Sequence, residues 1–260
     1  IHVDAASGGF IAPFQPEVPA WDFRLKNVLS ISASGHKFGE SCAGTGWVVF
    51  RQRQDLAGHV AISVSYLGGH GESYTLNFSR PATGVYVQFY KFLRHGRLGY
   101  QNLTDNMMCT SKFIRDRMKE MKAPNGKTIF RILDDGDQAC LPVVTAMIDK
   151  DAELPFDDID LQHVLAMEHW YVSGYAQNFH DPDTEETLPL FSDSPADGTM
   201  FRIVVKSNLT HPMAVNLVDS IQRSIQFLVD HGKGFEKMHR NDPTTGKKKH
   251  HKKNKGHQAC

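Results

Sequence analysis

An α/β fold is predicted for this chain of 260 residues from three observations. The first fifty residues read as short strands divided by glycine- and serine-rich turns. A long helical stretch follows Pro81, and short strands then alternate with helices towards the carboxyl end. Elements in that order pack as layers around a shared core.

Taken in order, Ile1 and Val3 alternate with polar neighbours as in a strand already under way, and Asn27 to Ala33 (NVLSISA) alternates weakly. Thr45 to Phe50 (TGWVVF) is rich in strand-forming residues. Glycine punctuates these runs at Ser7-Gly8-Gly9, Ser34-Gly35 and Leu67-Gly68-Gly69. Beyond Pro81, Val85, Phe89, Phe92 and Leu93 repeat at helical spacing, and helical character resumes from about Leu103 to Met121. Ile129 to Leu133, Leu141 to Ile148 and Met200 to Lys206 are strand candidates, and Asp158 to Trp170 is a helix candidate. The last helix is expected from about Pro212 to Asp230. Thr210 would cap it, Pro212 sits harmlessly in its first turn, and Leu217, Val218, Ile221, Ile225, Leu228 and Val229 form its apolar stripe. Gly246 to Gly256 (GKKKHHKKNKG) has no apolar residue and is expected to be a solvated basic tail.

Composition narrows the function classes. Hydrophobic residues make up 40% and charged ones 22%, as in ordinary globular chains. Lysine plus arginine equals aspartate plus glutamate at 29 each, so net charge gives no reason to expect a nucleic-acid or membrane partner. No apolar run approaches the ~18 residues of a spanning helix. Cys42, Cys109, Cys140 and Cys260 are scattered, which suggests neither a zinc site nor a disulfide framework. The expectation is a soluble, cytoplasmic protein. Because the opening strand begins at Ile1 without an initiator methionine, the chain is read as a fragment or processed product, inactive on its own.

Two short segments carry chemistry: His2-Val3-Asp4-Ala5-Ala6-Ser7-Gly8-Gly9 and Ser34-Gly35-His36-Lys37-Phe38-Gly39. Each alone is weak, since a lone aspartate after a strand is usually a turn residue and a lone lysine is usually solvated. Together they supply what a pyridoxal cofactor demands. A lysine must condense with its aldehyde, and a rigidly held carboxylate must keep its pyridine nitrogen protonated, so that the ring withdraws electrons.

The sequence here resembles the pyridoxal-phosphate-dependent glutamate decarboxylases. Ser30 to Lys37 (SISASGHK) carries the likeness, as do Pro13-Phe14, Trp21 to Leu25, Gly46-Trp47-Val48, Tyr66 to Gly69, Asn77 to Ala82 and Phe92-Leu93-Arg94. It is close over residues 1–105, looser to about 230, and nearest to the fungal branch. The resemblance implies a fold type I pyridoxal-phosphate transferase-like architecture with a mostly parallel sheet. Residues 1–105 would be the second part of the cofactor-binding large domain, 106–235 a small carboxy-terminal α/β domain and 236–260 a disordered tail.

It also implies roles. Lys37 would carry the cofactor and Asp4 would pair with its pyridine nitrogen. Ala6 would contact one face of the ring, and His36 its phosphate. Ser79 would reach the phosphate across a subunit boundary, which makes a homodimer the minimum active unit. Arg202, in the apolar run Met200 to Val205, would clamp the substrate α-carboxylate; the competing reading is an inward-leaning arginine paired with a structural carboxylate. The reaction implied is decarboxylation of L-glutamate to 4-aminobutyrate. Another pyridoxal-phosphate decarboxylase, an aminotransferase, a sulfur-transfer lyase or a non-catalytic interaction fragment stays open. Calmodulin is left open as a partner without residues that support it, and no metal site is expected.

Overall fold

The structure is a computed structural model that describes residues 1–64, 68–69, 71–74, 79–134, 141–190 and 198–239, with side chains described to residue 231. Of the tail expected to be disordered over residues 236–260, residues 236–239 belong to the last helix and the rest lies outside the described residues.

Two sheets position everything that follows. β1 (His2–Asp4), β2 (Ser30–Ser34) and β3 (Gly46–Phe50) form the first. β1 runs parallel to β2, with His2 opposite Ser30 and Asp4 opposite Ser32, and β3 returns antiparallel. β4 (Ile62–Val64) and β5 (Gly71–Ser73) make a separate small hairpin. The second sheet, in the order β6 (Phe130–Ile132), β7 (Val143–Ile148), β11 (Thr199–Val204), β8 (Ser173–Ala176), is antiparallel throughout. β9 (Asn178–His180) and β10 (Thr187–Pro189) pair as a further hairpin. Only the β1–β2 pairing is parallel among the described residues, so the mostly parallel sheet expected from the resemblance is not what these residues form.

Helix α1 (Thr83–Glu120) is longer than its periodicity suggests and runs through the stretch where the helical pattern lapses. Its single interruption is Gly96, at φ 55° and ψ −167°, a conformation open to a residue without Cβ. The expected domain division after residue 105 falls inside α1. α2 (Asp158–Met167) starts from a capping box in which Asp157 accepts from the Ile159 and Asp160 amides. α3 (His211–His239) begins where Thr210 caps the Met213 amide and continues beyond the expected Asp230, past the end of its apolar stripe.

That stripe drives the packing. Leu217, Val218, Ile221, Ile225 and Leu228 are buried against Leu161, Val164 and Leu165 of α2, Ile114 and Met118 of α1, and the inward residues Phe201, Ile203 and Val205. Burying each large side chain contributes ~1.5–3 kcal/mol. The alternation that buries Phe201, Ile203 and Val205 turns Arg202, Val204 and Lys206 to the opposite face. No helix among the described residues is long and apolar enough to cross a membrane.

Candidate active site

The first half of the site is made where β1 and β2 end side by side. After Asp4 the chain turns: Oδ1 of Asp4 accepts from the Ala6 amide at 3.1 Å, which fixes the carboxylate to its own turn. The Ala5 amide donates to Ser32 O (2.9 Å) and the Ser34 amide to Ala6 O (3.1 Å), so the two strand ends are stitched beyond the ladder. A Cβ on Gly9 would lie 2.7 Å from the Cβ of Ala33. Only glycine lets the turn lie that close.

The Lys37 loop is held from several sides. The Lys37 amide reaches Ser34 O, the Ser41 amide reaches Gly35 O, and both the His36 amide and its Nδ1 contact Thr45 O, at 3.2 and 2.9 Å. From α1, Gln88 Nε2 (2.8 Å) and the Tyr100 hydroxyl (3.0 Å) both donate to Gly39 O. Burial and the negative charge of Glu40 push the Tyr100 phenol up to about 12, which keeps it a neutral donor. Glu40, at φ 61°, bonds Lys91 at 3.0 Å. Burial raises the Glu40 carboxyl, but hydrogen bonds from Ser207 and Lys91 outweigh that and hold it below its ordinary value.

The second half comes from the other sheet. Lys37 and Arg202, far apart in sequence, line one cleft of about 590 Å³ with Ser7, Phe38, Asp134 and Lys206. Arg202 is exposed on the outward face of β11. Its Nη2 donates to the Tyr175 hydroxyl at 2.7 Å, and its guanidinium sits 5.1 Å from the centre of that ring. The alternative of an inward arginine is therefore corrected: strand alternation points Arg202 into the cleft, and no carboxylate pairs with it among the described residues.

Charge in the cleft is unbalanced. Among the described residues that line it, the one carboxylate, Asp134, is already paired with the buried Arg115 (Nε at 3.0 Å) and accepts from the Thr145 amide. Lys206 is half-buried, its ammonium 5.1 Å from the centre of the Phe38 ring, and it donates to the carbonyl oxygen of Lys37. Burial lowers its pKa against the opposing pull of Glu40.

Among the other sequence-predicted residues, His36 lines an adjoining cavity of about 330 Å³ together with Lys37 and Lys206. Ala6 is partly buried at the Asp4 turn, and Asp4 is exposed beside the Lys37 loop rather than lining the large cleft. Ser79 stands exposed between β5 and α1 and lines neither cavity. Lys206, Ser7 and Tyr175 escaped the sequence reading. Lys206 had a legible signal, since it follows Arg202 by four residues on the same face of an alternating strand.

Comparison with known proteins shows what this chain is similar to. Residues 1–126 match the pyridoxal-dependent decarboxylase conserved domain. The chain is 36% identical to a glutamate decarboxylase of Lactococcus lactis over 229 residues, 88% of this chain and 44% of that protein. It superposes on the glutamate decarboxylase of Lactobacillus brevis with a TM-score of 0.73 at 33% identity, covering 88% of this chain and 47% of the other. A sphingosine-1-phosphate lyase from Burkholderia pseudomallei, 20% identical, superposes with a TM-score of 0.64 over 91% of this chain and 47% of its own, a likeness of fold alone. The fold is that of the fold type I pyridoxal-phosphate enzymes. The chain spans about half the length of the curated relatives it matches.

Proposed function

We propose, from the match of residues 1–126 to the pyridoxal-dependent decarboxylase conserved domain, that the protein carrying this chain belongs to that family and decarboxylates L-glutamate to 4-aminobutyrate with pyridoxal 5'-phosphate. The observation that carries the reading is the shared cleft, in which a lysine amine and an arginine lie within one cavity of about 590 Å³. Identity of 33–36% to glutamate decarboxylases favours glutamate over other amino acids.

The residues fit the cofactor by their chemistry. Lys37 supplies a primary amine at the cleft wall. Both hydrogen bonds that Asp4 accepts among the described residues end on Oδ1, which leaves Oδ2 for a pyridine nitrogen. Ala6 is small enough to lie beside a flat ring. When bound, pyridoxal phosphate supplies the sink for the electron pair left on Cα as carbon dioxide departs.

Lys37 would hold the cofactor through the amine of Nζ. Asp4 would keep the proton on the ring nitrogen. Arg202, steadied by Tyr175, offers two parallel N–H donors to the α-carboxylate. Because Arg115 neutralises Asp134, the charge of the described lining residues Lys37, Arg202 and Lys206 is net positive and favours a dicarboxylate substrate. We assign His36 and Ser79 to the phosphate, Ser79 from a neighbouring subunit of a homodimer. Residues 1–105 are assigned to the cofactor-binding domain and 106–235 to the smaller one.

Borohydride reduction of the holoprotein, followed by peptide mapping, tests the core of this reading alongside carbon dioxide release from a panel of amino acids. An adduct on Lys37 and release from glutamate are expected. An adduct on Lys26 or Lys91, or turnover of another amino acid with none of glutamate, overturns it.

A further inference from the structure

The parallel pair β1–β2 carries an unusual polar face: His2 and Asp4 on one strand oppose Ser30 and Ser32 on the other. Strands in parallel pairs are ordinarily apolar on both faces. Here the side chains form one continuous line. His2 Nδ1 lies 2.8 Å from Ser30 Oγ, His2 Nε2 lies 3.3 Å from Ser32 Oγ, and Ser32 Oγ donates to Asp4 Oδ1 at 3.3 Å.

The direction of this line follows from counting protons. An ionised carboxylate accepts and cannot donate, so the single Ser32 hydroxyl proton points at Asp4. Ser32 Oγ must then accept from His2, which places the imidazole proton on Nε2. Nδ1 is left as an acceptor and takes the Ser30 hydroxyl proton. Every donor along Ser30, His2 and Ser32 therefore aims towards Asp4, and the line ends on the same oxygen that the Ala6 amide occupies.

We propose that Ser32 and His2 are positioning residues for the cofactor's ring nitrogen, acting through Asp4. By saturating Oδ1 from two sides, they fix the carboxylate rotamer and direct Oδ2 at the nitrogen. His2 sets the Ser32 hydroxyl, and Ser30 sets the His2 tautomer. The inference rests on the assignment of Asp4 to the ring nitrogen.

The test compares dissociation constants of apoprotein for pyridoxal phosphate and for an analogue with carbon in place of the ring nitrogen. A residue that acts through Asp4 on that nitrogen matters for the first ligand and not the second, whereas a merely structural residue affects both. Ser32→Ala should weaken pyridoxal phosphate about fivefold and His2→Phe about threefold, with the analogue unchanged within about twofold. Ser32→Thr, which keeps a hydroxyl, should restore discrimination between the ligands. Asp4→Asn is the control. If it selectively weakens pyridoxal phosphate while Ser32→Ala and His2→Phe do not, this proposal fails and the assignment of Asp4 stands. If Asp4→Asn weakens both ligands equally or neither, both fail. Equal losses for both ligands in Ser32→Ala would likewise overturn the proposal.

Discussion

Asp158 offers a sharp test of how the second sheet is anchored. It opens α2 yet is only 2% exposed, and its carboxyl bridges two strands: Oδ1 accepts from the Ile148 amide of β7 at 3.0 Å and Oδ2 from the Thr199 hydroxyl of β11 at 2.7 Å. Burial pushes its pKa from 3.8 up to about 6, although the bonds from Thr199 and Ile148 pull the other way. The folded state thus binds this proton more tightly than the unfolded chain. The resulting stability is fully present below pH 3.8 and is lost as pH rises through about 6, amounting to about 3 kcal/mol over that window. Asp158→Asn keeps the shape without the charge, so the variant lacks this loss. Urea unfolding at intervals from pH 3.5 to 7.5 would measure the stability of wild type minus that of the variant. Taking the difference cancels groups such as Asp22 and Glu168, whose carboxyls are held low by Arg24 and Arg223 and respond to pH in the opposite sense. The difference should become about 3 kcal/mol less favourable to wild type across the window. A constant difference would refute the argument that burial outweighs the two hydrogen bonds.

Three further expectations follow from side chains already placed. Arg202→Lys keeps a cation but loses the fork, and kcat/KM for glutamate should fall about 10- to 100-fold with the bound-cofactor absorbance unchanged; unfolding without a selective kinetic loss would favour a structural role. Lys206→Met keeps an apolar stem on Phe38 and removes the donor to the Lys37 carbonyl. Turnover should drop about tenfold, and a lowered Tm with unchanged turnover per folded molecule would contradict this. Ile221→Ala opens a hole where α3 meets the core and should cost ~2–5 kcal/mol in chemical denaturation; a loss below about 1 kcal/mol would mean that α3 is loosely seated.

The local parts of the site were legible in the sequence, and the parts built across strands were not. Asp4 and Lys37 stand out because strand-end turns are written in nearby residues, such as the Asp4–Ala6 turn and the glycines at 8, 9 and 35. Their roles came from family likeness and not from the turns themselves. Alternation located the strand bearing Arg202, yet the hydroxyl that steadies it was not legible: Tyr175 lies on a neighbouring strand whose register no local pattern discloses. The same holds for His2 and Ser32, which are brought together only by the pairing of β1 with β2. Along α3, the apolar stripe marked the buried length and fell silent after Val229, where the helix goes on without it.

The bend at Gly96 divides α1 into two arms with different loads. Gln88 and Lys91 on the shorter arm, with Tyr100 just past the bend, grip the loop of Lys37, while Arg115 far along the longer arm reaches Asp134 and the Val143 carbonyl beside the second sheet. Residues 97–120, rising ~1.5 Å each, make a stiff rod of roughly 36 Å. A change of about 5° at the elbow would swing its far end by about 3 Å, comparable to the whole reach of a hydrogen bond. The placement of the amine relative to the guanidinium is thus tied to one backbone angle, and a methyl group at position 96 would meet open space but strain the positive φ that sets the bend.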